Sequence, residues 1–200
     1  MAVTSTRHAS TAKSWPAEHR YRYIHSGNEP SLIAGVATCT LEILETRPGT
    51  EVIVVPVGGG SGAAGACVVA KAVRPAVEVI GVQSQAAPAA YRSWRAGSLV
   101  EDTTGTFAEG LATRTAFELP QQILRELLDD FVLVSDKALK AATRLMIEKT
   151  RNLVEPAGAA ALAAVLDAPE RYAGREVAIV CSGGNISPAQ LAALWPREPV

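Results

Sequence analysis

The feature that most constrains the fold is a run of β-branched residues that leads directly into a cluster of glycines. Residues 52–57 read Val-Ile-Val-Val-Pro-Val, which is typical of a strand buried on both faces of a parallel sheet. The cluster that follows consists of Gly58, Gly59, Gly60, Ser61 and Gly62. Residues 63–73 are small and apolar, which predicts a helix packed closely on that sheet. The segment therefore predicts a strand, a glycine turn and a helix.

Composition excludes several classes of function. A formal net charge of −1 over 200 residues provides no broad field that would attract nucleic acid or a membrane surface. The uncharged stretch at 52–70 has proline and glycines in its middle, which argues against a membrane span. Three widely spaced cysteines without a CxxC pair favour a reducing, cytoplasmic setting and no zinc ribbon. All three histidines lie within the first 25 residues, so chemistry elsewhere in the chain would use a group other than histidine, and a bound cofactor is the obvious candidate.

Strand patterns alternate with helix patterns along the chain. The predicted strands are 52–57, 77–82, 131–134 and 177–181, and the predicted helices are 31–46, 63–73, 87–97, 120–130, 135–152, 157–166 and one that begins at 187. Residues 103–110 are predicted to be a loop. This order predicts an α/β fold with a mostly parallel, twisted sheet and helices on both faces. Residues 1–17 are predicted to be a disordered tail, although their basic, acid-poor composition also fits a transit peptide.

The glycine turn is predicted to bind a phosphate group. Glycines let the backbone approach a ligand, and the free N–H groups at a helix start can hold an anion without any lysine. A ligand-free tight turn is the alternative. A dinucleotide is disfavoured: Gly60, Gly62 and Gly65 fit G-x-G-x-x-G, but Gln83 stands where the ribose-binding acid is expected. No Gly-Lys-Ser/Thr follows, which excludes a P-loop.

A second glycine junction follows the last predicted strand. Residues 181–185 read Cys-Ser-Gly-Gly-Asn, and they lie at the carboxyl end of strand 177–181. Ligands in open α/β sheets bind beyond the carboxyl ends of the strands, so both junctions could flank one flat ligand. Ser182 would then offer it a neutral hydroxyl. The alternative is a serine that only forms a turn or enters the next helix.

Four segments in this order resemble a known family. They are Val-Pro-Val-Gly-Gly-Gly-Ser-Gly at 55–62, Thr-Phe-Ala-Glu-Gly-Leu-Ala at 106–112, Val-Glu-Pro-Ala-Gly at 154–158 and Val-Cys-Ser-Gly-Gly-Asn at 180–185. The chain from about residue 18 to residue 195 resembles the pyridoxal-phosphate-dependent threonine/serine dehydratases, or ammonia-lyases, of the tryptophan-synthase-β fold (fold type II).

The resemblance implies a cofactor and a reaction. The cofactor is pyridoxal 5′-phosphate, and the reaction is β-elimination of L-threonine or L-serine to a 2-keto acid and ammonia. The phosphate would lie at residues 58–62, and Ser182 would hydrogen-bond the pyridine nitrogen. Gly110 and Glu155 would line the ring, with a plain helix-terminus acid as the alternative for Glu155.

The chain also departs from the family's pattern. It has no Ser-Phe-Lys segment, which carries the family's Schiff-base lysine, so no catalytic residue is assigned. Its own lysines, which are Lys13, Lys71, Lys137, Lys140 and Lys149, fall in the tail or on predicted helices, where solvated faces are expected. Some members of the family bind a divalent cation through an acid just after the strand that follows the glycine-loop helix, but Gln83 and Ala89 occupy the corresponding positions here, so no metal is predicted. His25 to Pro30 is interpreted as a turn before a helix.

Residues 18–200 therefore resemble the C-terminal part of such an enzyme, an incomplete fold-type-II domain without the smaller domain. A truncated or split ammonia-lyase is the first interpretation, with the missing part supplied by a partner chain or with assembly into a homo-oligomer. A non-catalytic module that binds pyridoxal phosphate or another phosphate is the second. A nucleotide-binding oxidoreductase fragment and a gene remnant without function stay open.

Overall fold

The computed structural model of the protein describes residues 22–195. The helices are α1 (Pro30–Thr46), α2 (Ser61–Val73), α3 (Ala89–Ala96), α4 (Glu118–Leu127), α5 (Asp136–Thr150), α6 (Ala160–Asp167), α7 (Pro169–Tyr172) and α8 (Pro188–Leu194), with a 3₁₀ turn at Glu109–Leu111. The strands are β1 (Val52–Pro56), β2 (Glu78–Ser84), β3 (Asp130–Val134) and β4 (Val177–Ile179). The predicted tail, residues 1–17, lies outside the described residues.

The four strands form one sheet in the order β3-β2-β1-β4, and every pairing is parallel. Val54 of β1 pairs with Ile80 of β2 on one side and with Ile179 of β4 on the other. The β-branched run thus occupies the centre of the sheet, which explains its burial. The fold class predicted from the sequence is confirmed.

Helices cover both faces of the sheet, and each face has its own apolar core. Val52 and Val54 point into a core that α5 and α6 close, while Ile53 and Val55 point into a core formed with α2 and α4. Alternate residues of a strand face opposite sides, so an uninterrupted apolar run fills both cores. Among the described residues, no helix is long and apolar enough to cross a membrane.

Local signals set several helix starts. The side chain of Ser135 accepts a hydrogen bond from the backbone N–H of Ala138 and caps α5, as predicted. Ser187 caps α8 in the same way, with Pro188 in the first helical position. The turn predicted before α1 is present, because His25 Nδ1 accepts from the N–H groups of two following residues before the helix begins at Pro30.

Several predicted boundaries are wrong. β2 continues to Ser84 instead of ending at 82, because pairing with β3 extends it and places Gln83 inside the sheet. β4 ends at Ile179 instead of 181 and is only partly buried, because within the described sheet it has a neighbour on one side only. The helix predicted at 157–166 begins at residue 160, and the helix predicted at 120–130 spans 118–127. The short helix α7 was not predicted. The predicted loop at 103–110 runs into the 3₁₀ turn.

Candidate cofactor-binding site

The glycine loop places a row of unpaired backbone donors at the start of α2. Gly60 adopts a φ of 97°, which a glycine tolerates best, and it forms the N-cap of the helix. The first bond of this turn runs from the N–H of Ala64 to the Gly60 oxygen at 2.9 Å. Within the described part of the chain, the N–H groups of residues 58–63 donate to no protein acceptor. Such a cluster, at the positive end of a helix dipole, favours an anion.

Close packing on one side of the loop leaves no room for side chains at its first glycines, and the other side of the loop is open. A Cβ on Gly58 would overlap with the carbonyl oxygen of Gly110, and a Cβ on Gly59 would overlap with the ring of Phe117. A Cβ on Gly62 would meet nothing within 4 Å. The loop therefore has a closely packed back and a free face at the first turn of α2.

Ser182 faces the same space. Gly62 and Ser182 both line a cavity of about 270 Å³, together with residues of α1 and the end of β1. Ser182 is exposed, and its hydroxyl makes no hydrogen bond with another described residue. The structure thus brings together the two glycine junctions that the sequence suggested. A larger surface depression of about 430 Å³ at Trp94, Arg95 and Arg125 contains none of the predicted site residues.

The segment around Glu155 supports the Ser182 junction. The Glu155 N–H donates to the Gly183 oxygen at 3.2 Å, and a Cβ on Gly183 would overlap with the Glu155 carboxylate. A Cβ on Gly158 would stand 2.5 Å from the Gly183 oxygen. Burial, with a smaller contribution from Glu109, raises the pKa of Glu155. Glu155 therefore lies against Gly183, the residue after Ser182, although neither Glu155 nor Gly110 lines the cavity.

Asp136 anchors the loop that carries Gly110. Its Oδ1 accepts from the hydroxyls of Ser84 at 2.9 Å and Thr106 at 2.7 Å, and its Oδ2 accepts from the Phe107 N–H at 2.6 Å. Charge-assisted bonds of this kind are short and strong. Residues 106–110 are thereby tied to β2, which fixes the position of Gly110 behind the glycine loop.

The lysines of the described chain lie elsewhere. Lys71 bonds to the Val77 oxygen at 2.8 Å and to Asp129 at 2.6 Å, near the amino ends of β2 and β3. Its side chain is only 20% exposed, so the expectation of a solvated face is wrong for Lys71. Lys140 lies 4.8 Å above the Phe107 ring, while Lys137 and Lys149 are exposed on α5. None of the four lines the cavity of Gly62 and Ser182; Lys13 lies outside the described residues.

The G-x-G-x-x-G spacing has a structural explanation. A Cβ on Gly65 would stand 3.0 Å from the Ile33 oxygen and from the Ala37 N atom, so Gly65 permits close contact between α1 and α2. It lies one turn into α2, beyond the open donors of the loop. Among residues 22–195, no group of three or more His, Cys, Asp or Glu side chains is arranged to hold a metal ion.

Comparison with known proteins identifies the family. A family model described as "Pyridoxal-phosphate dependent enzyme" matches residues 3–183. The chain belongs to this family of enzymes. The L-threonine ammonia-lyase of Thermotoga maritima is 39% identical over 82% of this chain and 41% of its own length. The beta-hydroxyaspartate dehydratase of Paracoccus denitrificans is 33% identical over 92% of this chain and 58% of its own.

Solved structures agree. The crystal structure of serine racemase from Dictyostelium discoideum is similar with a TM-score of 0.84 and 32% identity, over 92% of this chain and 60% of that one. The chain therefore has the fold-type-II architecture, and it spans about half the length of the relatives it matches.

The residues present fit the family's cofactor. Open N–H groups at 58–63 suit a phosphate, the space at Gly62 is free, and Ser182 offers a hydroxyl across the same cavity. Sequence reasoning missed Thr113, whose hydroxyl bonds the Gly58 oxygen at 3.3 Å, and Phe117, which packs on Gly59. No spacing rule connects either residue to the loop, because both belong to the largely irregular segment between α3 and α4.

Proposed function

We propose that this chain forms the cofactor-binding portion of a threonine/serine ammonia-lyase, which eliminates the β-hydroxyl of a hydroxy-amino acid to yield a 2-keto acid and ammonia. The observation that carries the proposal is the shared cavity of Gly62 and Ser182 beside a row of unpaired N–H groups. Names of the relatives support the reaction class, since two of the three eliminate ammonia or water.

The proposed roles follow from the chemistry of each group. The N–H groups of Gly58, Gly59, Gly60, Ser61 and Gly62 would bind the phosphate of pyridoxal phosphate. Ser182 would donate its hydroxyl proton to the pyridine nitrogen, and Gly110 and Glu155 would border the ring. Bound there, the cofactor supplies an electron sink for the loss of the Cα proton and the β-hydroxyl. A neutral hydroxyl partner keeps that sink weak, which suits loss of a β-substituent.

The lysine that must bond to the cofactor would come from polypeptide outside these 200 residues. No described lysine lines the cavity. Apolar surface is exposed beside it, at Val36 and Leu41 of α1 and at Ile179 of the edge strand. Such surface fits a partner chain or a second copy that completes the enzyme. The free, exposed thiols of Cys39 and Cys181 favour a reducing compartment such as the cytoplasm.

The substrate is proposed to be L-threonine or L-serine. The names of relatives of similar identity refer to threonine, β-hydroxyaspartate and serine, and all three compounds are amino acids with a hydroxyl on Cβ. The second candidate is a non-catalytic module that binds pyridoxal phosphate or another phosphate. The absence of any lysine of residues 22–195 from the cavity favours this second candidate.

Replacement of Gly62 by alanine tests the site without disturbing the fold. Its Cβ would enter free space, so loss of affinity would mean that the ligand itself occupies that space. Gly35→Ala is the matched control, because it also lies in a helix with nothing within 4 Å. We expect Gly62→Ala to weaken binding of pyridoxal phosphate in isothermal titration, and Gly35→Ala to leave it unchanged.

The two candidates differ in what the pure chain does. As the cofactor-binding portion of an ammonia-lyase, it should bind pyridoxal phosphate, form no borohydride-reducible bond to it and release no ammonia from L-threonine. Activity should appear when a chain that carries the Ser-Phe-Lys segment is added. Turnover of L-threonine by the pure chain would contradict the proposal. Failure to bind pyridoxal phosphate would contradict both the ammonia-lyase portion and the non-catalytic module that binds this cofactor.

A further inference from the structure

A series of hydrogen bonds connects the buried end of β2 to the back of the glycine loop. Gln83 is fully buried, and its Oε1 accepts from the backbone N–H of Tyr91 at 3.0 Å. Its Nε2 donates to Oγ1 of Thr113 at 3.4 Å. The Thr113 hydroxyl in turn donates to the Gly58 oxygen at 3.3 Å. Both ends of the buried amide are thereby satisfied, as a buried polar group requires.

The direction of each bond follows from the donors available. A backbone N–H can only donate, so Tyr91 requires the oxygen of the Gln83 amide on its side. The amide nitrogen must then face Thr113. A hydroxyl has one proton, and because Thr113 accepts from Gln83, that proton is directed to Gly58.

Holding the Gly58 oxygen also orients the next N–H group. The described chain contains no cis peptide bond, and in a trans peptide the C=O and the following N–H point in opposite directions. With its oxygen turned toward Thr113, the Gly58–Gly59 peptide presents the Gly59 N–H on the opposite side. That N–H is one of the donors without a protein acceptor.

We infer that Gln83 and Thr113 are positioning residues that aim the Gly59 N–H at the phosphate group of the ligand. The identity of that ligand rests on the proposed function, whereas the orientation of the peptide does not. An amide is required at residue 83, because a carboxylate would accept the Thr113 proton and release the Gly58 oxygen. Gln83→Glu keeps nearly the same side-chain size but reverses the hydrogen bond between residue 83 and Thr113. Thr113→Val removes the hydroxyl that bonds the Gly58 oxygen, and Thr113→Ser retains it.

The first measurement uses the chain without ligand. The ¹⁵N chemical shift of Gly59 reports on the hydrogen bond to the preceding carbonyl. Gln83→Glu and Thr113→Val should shift this resonance, and Thr113→Ser should leave it near its original position. Two controls change buried residues of the same types elsewhere: Gln121, which bonds the Ala90 oxygen at 3.1 Å, to Glu, and Thr143, which bonds the Leu139 oxygen at 2.6 Å, to Val. An unmoved resonance in Thr113→Val, or an equal shift in the controls, would overturn the inference.

The second measurement compares pyridoxal phosphate with pyridoxal, which lacks the phosphate. A misdirected hydrogen bond to a charged group should weaken binding of pyridoxal phosphate about tenfold in Gln83→Glu and Thr113→Val. Thr113→Ser should restore it, and the affinity for pyridoxal should not change. Equal losses for both ligands would mean a general disturbance of the fold and would overturn the assignment to the phosphate. If the unaltered chain binds neither ligand, the proposed function fails, while the Gly59 resonance still decides the orientation.

Discussion

The α-carbon of Gly58 lies directly against the carbonyl oxygen of Gly110, with no room for a Cβ between them. The contact joins the glycine loop to the segment that follows α3. Gly110 cannot withdraw easily, because the hydrogen bonds from Ser84, Thr106 and Phe107 to Asp136 hold its segment in place. Gly58 and Gly110, which are 52 positions apart in sequence, are therefore in direct backbone contact.

Gly58→Ala is expected to destabilise the protein by about 1–3 kcal/mol, the usual cost of forcing a methyl group into a packed site. Urea unfolding followed by circular dichroism measures this directly. Gly35→Ala is the control, because its Cβ meets open space and alanine favours a helix. A Gly58→Ala variant as stable as Gly35→Ala would contradict the close contact.

Asp136→Asn should loosen the segment that carries Gly110. One carboxylate oxygen becomes an NH₂ group, which cannot accept from the donors that now face it. Leaving such a donor unpaired costs about 1–3 kcal/mol. Amide hydrogen exchange at Phe107 should become faster, and the unfolding midpoint in urea should fall. Asp167→Asn, at an exposed aspartate at the end of α6, is the control and should change neither. Equal exchange rates in both variants would show that Asp136 does not hold the segment.

Glu155 should make the protein less stable as the pH rises. Burial, and then Glu109, raises the pKa of Glu155 in the folded state above its unfolded value near 4.5. The folded state therefore binds the proton more tightly, so the contribution to stability is present at low pH and is lost as the pH rises through the folded pKa. Relative to the unaltered chain, Glu155→Gln should gain stability between pH 4 and pH 7.

A direct titration separates the two causes. The ¹³C resonance of the Glu155 carboxyl should give a higher midpoint in the unaltered chain than in Glu109→Gln, where the neighbouring charge is gone. Glu148→Gln, an exposed change on α5, is the control. If the difference in stability between Glu155→Gln and the unaltered chain does not change with pH, the assigned burial of this carboxyl is wrong.

Local patterns were sufficient for the centre of the fold. The β-branched run of β1 is typical of a strand inside a parallel sheet. Serines before α5 and α8 marked the helix starts because their side chains accept hydrogen bonds from N–H groups of the first turn. The glycine turn between β1 and α2 was also recognisable from the sequence, and its binding of a phosphate stays a prediction.

The features that local sequence patterns could not predict depend on contacts with residues that are distant in sequence. The sequence of β4 predicts a buried strand, yet Ile179 is 37% exposed, because β4 pairs only with β1 in the described sheet. Lys71 reads as a solvated lysine, but Asp129 and the Val77 oxygen hold it against the sheet. Gln83 reads as a substitution at the end of a strand, and only the structure shows that Thr113 connects it to the loop.

The three cysteines should differ in reactivity toward a disulfide reagent such as dithionitrobenzoate. Cys39 and Cys181 are exposed and line the cavity of Gly62 and Ser182. Cys67 is fully buried, and this burial, with the nearby Asp129 carboxylate, raises its pKa to about 12. The thiolate is the reactive form, so two thiols should react in the folded protein and the third only after denaturation.

Variants assign the reactive thiols and connect them to the cofactor. Cys39→Ser and Cys181→Ser should each remove one fast-reacting equivalent, and Cys67→Ser should remove none. Pyridoxal phosphate should slow the reaction at Cys181, which adjoins Ser182, because a ligand in the cavity blocks the reagent. Unchanged rates at saturating pyridoxal phosphate would place the bound ligand outside this cavity, even if Gly62→Ala weakened its affinity.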